Sequence, residues 1–134
     1  MNAPLILIAD DERVLADALA TFLADEGFRT DVTHDGHTAL DRALLLSPDV
    51  VLSDVQMPRL GGLGLVRQLR RAGNIVPIIL MSAVYADVRL PGVHFLPKPF
   101  DLDHLLATVR ASIGSAARLV IDESDCDGTV NTRE

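Results

Sequence analysis

The chain has 134 residues, 49% of them hydrophobic and 23% charged, and a formal net charge of −7 from 12 Lys and Arg against 19 Asp and Glu. That length suits one domain with a sizeable core, and the composition excludes a disordered chain. The negative balance argues against binding nucleic acid through its phosphates, and no apolar run reaches the roughly 20 residues needed to cross a bilayer.

Residues 5–9 (LILIA) are a continuous apolar run ending in acids, which predicts a buried strand. No basic segment precedes it, so it does not read as a signal peptide, and a cytoplasmic location is expected. Val14, Leu15, Ala18, Leu19, Phe22 and Leu23 then recur at helical spacing, with Gly27 as the stop. Residues 29–33 (RTDVT) alternate weakly as a second strand, and 38–46 (TALDRALLL) carry the helical period until Ser47-Pro48. Residues 50–53 (VVLS) form a third strand, closed by Asp54. After Gly61, Gly62 and Gly64, residues 63–71 read as a helix. Its Arg67, Arg70 and Arg71 are the one basic cluster, expected to be a solvated face. Residues 77–81 (PIILM) and 93–96 (VHFL) are strands four and five, and 102–113 are a last helix with Asp101 as its N-cap.

From about Ser115 the composition turns polar and acidic (IDESDCDGTVNTRE), so the domain is expected to span residues 1–114 and a loosely ordered tail 115–134. Cys126 lies in that tail without a Cys or His partner in register, which argues against a disulfide or a zinc site. His34, His37, His94 and His104 are too scattered to suggest a metal site, and the first two fall in a turn (THDGH) that reads as a solvated loop.

Strands and helices alternate, and the strands are apolar throughout, which signals a parallel sheet covered by helices on both faces. Ligands of such sheets bind beyond the carboxyl ends of the strands. Strand one ends in Asp10-Asp11, strand three in Asp54, strand four in Ser82 and strand five in Lys98. Any one of these is unremarkable: Asp10 and Asp11 would serve as helix caps, Ser82 as a turn residue and Lys98 as a surface charge. Together they would place three carboxylates, a hydroxyl and an ammonium on one edge. Crowded carboxylates repel unless a cation or a proton joins them. Few, hard oxygen ligands suit Mg²⁺, which shares its shell with water and phosphate. A carboxylate can itself be the nucleophile in phosphoryl transfer, giving an acyl phosphate, so the cluster points to phosphorylation of Asp54.

The motifs LILIADDE, VVLSDVQMPRLGG, PIILMSA and FLPKPF, in that order over roughly residues 4–112, resemble the receiver domain of two-component response regulators. The resemblance implies a doubly wound five-stranded parallel sheet of the flavodoxin-like, CheY-like type. It implies that Asp54 accepts a phosphoryl group from a phosphohistidine of a histidine kinase or histidine phosphotransfer protein. Mg²⁺ would be held by Asp11, by Asp10 through water, by Asp54 and by the backbone carbonyl of Gln56. Ser82 would hydrogen-bond a phosphoryl oxygen, Lys98 would pair with Asp54 or its phosphoryl group, and the Lys98-Pro99 bond would be cis. Phe95 falls where the family has an aromatic that changes rotamer on activation, the alternative being a core residue of strand five. Gly62 matches a position that lets the loop turn after the phosphorylation site.

The sequence departs from this family between Ser82 and Lys98, where only residues 84–90 remain for helix four. That helix is expected to be shortened or missing, since two turns are marginal alone. The family's usual output face, and activated dimerisation through it, are then in question, although a homodimer stays open. An apolar Val84 gives no group to orient attacking water beside Gln56, so slow self-dephosphorylation is expected and no true enzyme activity. No output domain follows the last helix, so a stand-alone receiver acting on a downstream protein partner is expected. Two rival readings are an aspartate-nucleophile phosphatase and a phosphorylation-independent pseudo-receiver that serves as an interaction module. The first lacks an acid two residues after Asp54, where Gln56 stands; the second leaves the full set of site residues without a use.

Overall fold

In the computed structural model the described residues are 3–83 and 90–125, with side chains described as far as residue 114. Five strands form one parallel sheet: β1 (Leu5–Ala9), β2 (Arg29–Thr33), β3 (Val50–Asp54), β4 (Ile78–Ser82) and β5 (Val93–Pro97), in the order β2-β1-β3-β4-β5. Four helices are described among them: α1 (Arg13–Asp25), α2 (Gly36–Leu46), α3 (Gly62–Arg71) and α4 (Leu102–Asp125). The doubly wound architecture expected from the sequence is therefore present. The expected short helix over 84–90 and the proposed influence of Val84 fall on residues 84–89, and Cys126 lies in 126–134; all are outside the described residues.

Alternation along the strands sorts the core into two layers. Ile6, Ile8, Val50, Leu52, Ile79, Met81 and Leu96 face α1 and α4, meeting Ala16, Leu19 and Leu23 from one and Leu105 and Val109 from the other. Leu7, Ala9, Val51, Ile78 and Leu80 face α2 and α3, meeting Ala39, Ala43, Leu65, Val66 and Leu69. β1, β3 and β4 are covered on both faces and are apolar at nearly every position, whereas the edge strand β2 is only partly buried.

The helix ends follow local chemistry. α1 stops where Gly27 takes φ +99° and the N–H groups of Gly27 and Phe28 bond back to Ala24 and Leu23. α2 starts on Asp35, whose Oδ1 accepts from Thr38 N at 2.8 Å, and ends on Ser47 in the left-handed region. Asp101 accepts from His104 N at 2.7 Å, as expected of an N-cap. α4 runs past Ile113 to Asp125, longer than the sequence reading of 102–113, because Ala116, Ala117, Arg118 and Leu119 are strong helix formers and, after the single Gly114, no Gly or Pro comes before Gly128.

Candidate functional site

Parallel strands deliver their C-terminal ends to one edge, and the order β2-β1-β3-β4-β5 sets β1 and β3 side by side at its centre. Asp10 follows β1, and Asp54 is the last residue of β3. The carboxylates of Asp10, Asp11 and Asp54 come within 4.8 Å of one another. Lys98, on the loop leaving β5, places Nζ 3.5 Å from Asp54 Oδ1, and both side chains are largely shielded from solvent. Lys98 is held there by its N–H, which donates to the Ser82 carbonyl at 2.8 Å, and the Lys98-Pro99 bond is cis. Asp11, Glu12, Asp54, Gln56 and Met57 line an open cleft of about 440 Å³.

Asp10 is the buried member of the group. Its Oδ1 accepts from Glu12 N at 2.9 Å, closing an Asx turn ahead of α1; it does not cap that helix, whose N-cap residue is Glu12 and whose start has no side-chain cap. Its Oδ2 is buried without a hydrogen-bond partner. Burial, chiefly, pushes the Asp10 carboxyl above the usual aspartate range; the Glu12 N–H opposes that shift and the Asp54 charge reinforces it. An orphaned, desolvated carboxylate beside two more is a donor set suited to a hard divalent cation. The oxygens of Asp10, Asp11 and Asp54 therefore fit Mg²⁺.

Two supporting residues lie outside the sequence reading. The Asp10 peptide is gripped on both sides by the end of β2: its N–H donates to Thr33 O at 3.1 Å, and its carbonyl lies 3.0 Å from His34 Nδ1. His34 is thus part-buried and bonded to the site, not a solvated loop residue. Its ring must carry the Nδ1 proton to donate to a carbonyl. Only its position directly after β2 hinted at this. The second is Leu60. Arg59 adopts φ +74°, and Leu60 N donates to Pro58 O at 2.8 Å, closing a three-residue turn. A side chain on Gly36 would collide with the Leu60 backbone, so this turn packs directly on the start of α2.

Of the remaining sequence candidates, Ser82 ends β4 beside Pro97 of β5. Phe95 is partly buried against the α2–α3 layer, the place of a strand-five core residue. Gly62 has ordinary helical backbone; its glycine is required by close approach to Asp54, not by a turn.

A sequence profile of the response regulator receiver domain matches residues 6–110. The chain belongs to this family. Among curated relatives, the receiver is 40% identical over 112 residues to the response regulator MprA of Mycobacterium avium, covering 79% of this chain and 49% of that protein. It thus spans about half the length of the curated relatives it matches. Its fold is similar to the receiver domain of Francisella response regulator 1452, with a TM-score of 0.78, 30% identity and coverage of 84% of this chain and 98% of that one. It is also similar to the chemotaxis response regulator CheY4 of Vibrio cholerae, with a TM-score of 0.75, 26% identity and coverage of 83% and 99%. No helix among the described residues is long and apolar enough to cross a membrane.

Proposed function

We propose that this receiver domain is a phosphorylation-operated switch in which Asp54 accepts a phosphoryl group from a phosphohistidine. The observation that carries this reading is the gathering of the Asp10, Asp11 and Asp54 carboxylates within 4.8 Å while Lys98 stands 3.5 Å from Asp54. Three like charges held together cost stability, so a fold that retains them in a cleft has a use for them.

In the transfer, an Asp54 carboxylate oxygen attacks phosphorus in line with the P–N bond of the donor. The new P–O bond forms as the P–N bond breaks, and the imidazole leaves with the electron pair. Asp10, Asp11, Asp54 and the Gln56 carbonyl would hold Mg²⁺, which offsets the charge of the carboxylates and of the incoming phosphoryl oxygens. Lys98 pairs with the Asp54 carboxylate beforehand and with a phosphoryl oxygen afterwards. The Ser82 hydroxyl donates to another phosphoryl oxygen, and Phe95 is the candidate for relaying that change along β5. A histidine kinase or phosphotransfer protein is the donor, and a protein partner reads the result.

Incubation with phosphoramidate or acetyl phosphate and MgCl₂ should add one phosphoryl group by intact mass, lost with EDTA or in Asp54→Asn. No adduct would favour the phosphorylation-independent receiver. Continuous turnover of phosphate esters would favour the phosphatase.

A further inference from the structure

At the strand ends opposite Asp54, a groove of about 730 Å³ opens between the C-terminal half of α3 and the loops that lead into β4 and β5. Its apolar part includes Val66, Ile75 and Leu90, and its rim carries Arg67, Arg70 and Arg71. Ile75 is 71% exposed and Leu90 36%, more than a folded chain gains by leaving in water. Arg70 builds the groove: it donates to the carbonyls of Asn74 (3.0 Å), Val76 (2.9 Å) and Pro91 (3.0 Å), tying α3 to both loops. All three acceptors are neutral. The ion pairs among the described residues are Arg42–Asp31, Lys98–Asp54 and Arg110–Glu26, so no described carboxylate answers Arg67, Arg70 or Arg71.

Three guanidinium groups without a counter-ion among the described residues, on a chain whose net charge is −7, border apolar surface. Nucleic acid is disfavoured as their partner because its backbone runs past three arginines onto a surface of net negative charge, whereas a short acidic segment stays within their reach. A carboxylate-bearing segment meets attraction here, and its aliphatic side chains find the apolar floor. We infer that this groove is a docking site for an acidic, amphipathic segment of a partner protein, with aliphatic residues against Ile75 and Leu90 and carboxylates on Arg67, Arg70 and Arg71. This is the helix-in-groove mode, with arginine forks supplying bidentate recognition of carboxylates. The groove lies four residue steps of β3 away from Asp54, about 13 Å along the strand. Docking here therefore does not depend on the phosphoacceptor reading.

The test uses the full 134-residue, unphosphorylated chain and a fluorescein-labelled helical peptide with leucines at i, i+3, i+4 and i+7 among glutamates. Anisotropy should report binding that weakens with added salt, and the same peptide with lysines for glutamates should not bind. Arg67→Glu/Arg71→Glu should lower the affinity by about tenfold, and Ile75→Asp should do so independently. All three positions are exposed, so thermal melts of both variants should match the parent. Failure of the glutamate peptide to bind, equal binding of the lysine peptide, or full affinity in both variants would overturn the inference. So would binding of a single-stranded oligonucleotide that the arginine reversal abolishes, or self-association of the chain that Ile75→Asp disrupts.

Discussion

Gly62→Ala separates steric need from helix propensity at the site itself. Gly62 opens α3 directly beneath the end of β3. A Cβ there would stand 2.5 Å from the Asp54 carbonyl oxygen, 2.9 Å from Leu80 Cδ2 and 3.1 Å from Val55 Cα. Leu80 Cδ2 ends a side chain and can yield, although it is packed in the core. The Asp54 carbonyl belongs to a central strand and also accepts from Ser53 Oγ at 2.8 Å, so it cannot recede freely. Overpacking of this kind costs about 1–3 kcal/mol. The better helix propensity of alanine offsets at most about 1 kcal/mol, and less at a first helical residue. A net loss of about 1–2 kcal/mol is expected, which lowers Tm by about 3–8 °C for a domain of this size. Gly114 is the internal comparison, since it is helical and a Cβ there meets nothing within 4 Å. Gly114→Ala should stabilise by about 0.5–1 kcal/mol. Urea unfolding followed by circular dichroism reads both variants, with m unchanged. A Gly62→Ala protein as stable as the parent would refute the argument, because propensity alone would then rule at both positions.

Asp10→Asn should stabilise the metal-free protein at neutral pH by about 1–3 kcal/mol, since it removes a buried charge with an orphaned oxygen. The folded Asp10 pKa is raised, so its charge opposes folding above that pKa, and stability is lost as pH rises through it. The advantage of the variant should therefore shrink as pH falls below the folded Asp10 pKa; an advantage that grows on acidification contradicts the assignment. Addition of MgCl₂ should raise the parent's Tm but not that of Asp10→Asn, and an equal rise in both would remove Asp10 from the cation site. His34→Phe keeps the ring but deletes the bond to the Asp10 carbonyl; titration calorimetry should show weaker Mg²⁺ binding with a loss of stability of about 1 kcal/mol. Unchanged Mg²⁺ affinity would leave His34 a purely structural residue. Lys98→Gln should slow formation of the phosphoryl adduct while changing stability by less than about 1 kcal/mol, because the pair it breaks is loose at 3.5 Å; an undiminished adduct rate would exclude Lys98 from the transfer.

Local pattern was enough to read the strands, the first three helices and the start of the fourth. Apolar runs without alternation mark strands covered on both faces, and Gly27, Ser47-Pro48 and Asp101 each act on the backbone within a few residues of themselves. The acids at the strand ends were legible for the same reason, because a parallel sheet puts every such end on one edge. The length of α4 is not legible in the same way, because the acidic composition past Ser115 points to a tail while helix propensity carries the helix to Asp125.

What the sequence alone could not decide was who touches whom. Lys98 reaches Asp54 only because β4 and β5 continue the sheet on the β3 side. His34 grips Asp10 only because β2 pairs with β1 on the other side. Gly62 looked like a turn glycine and is a packing glycine, and Arg70 looked like a solvated charge and is a three-carbonyl clasp. Periodicity and capping are short-range properties of the chain. Burial, orphaned oxygens and charge pairs arise where distant segments are brought within a few ångströms, and the order of the strands sets which segments those are.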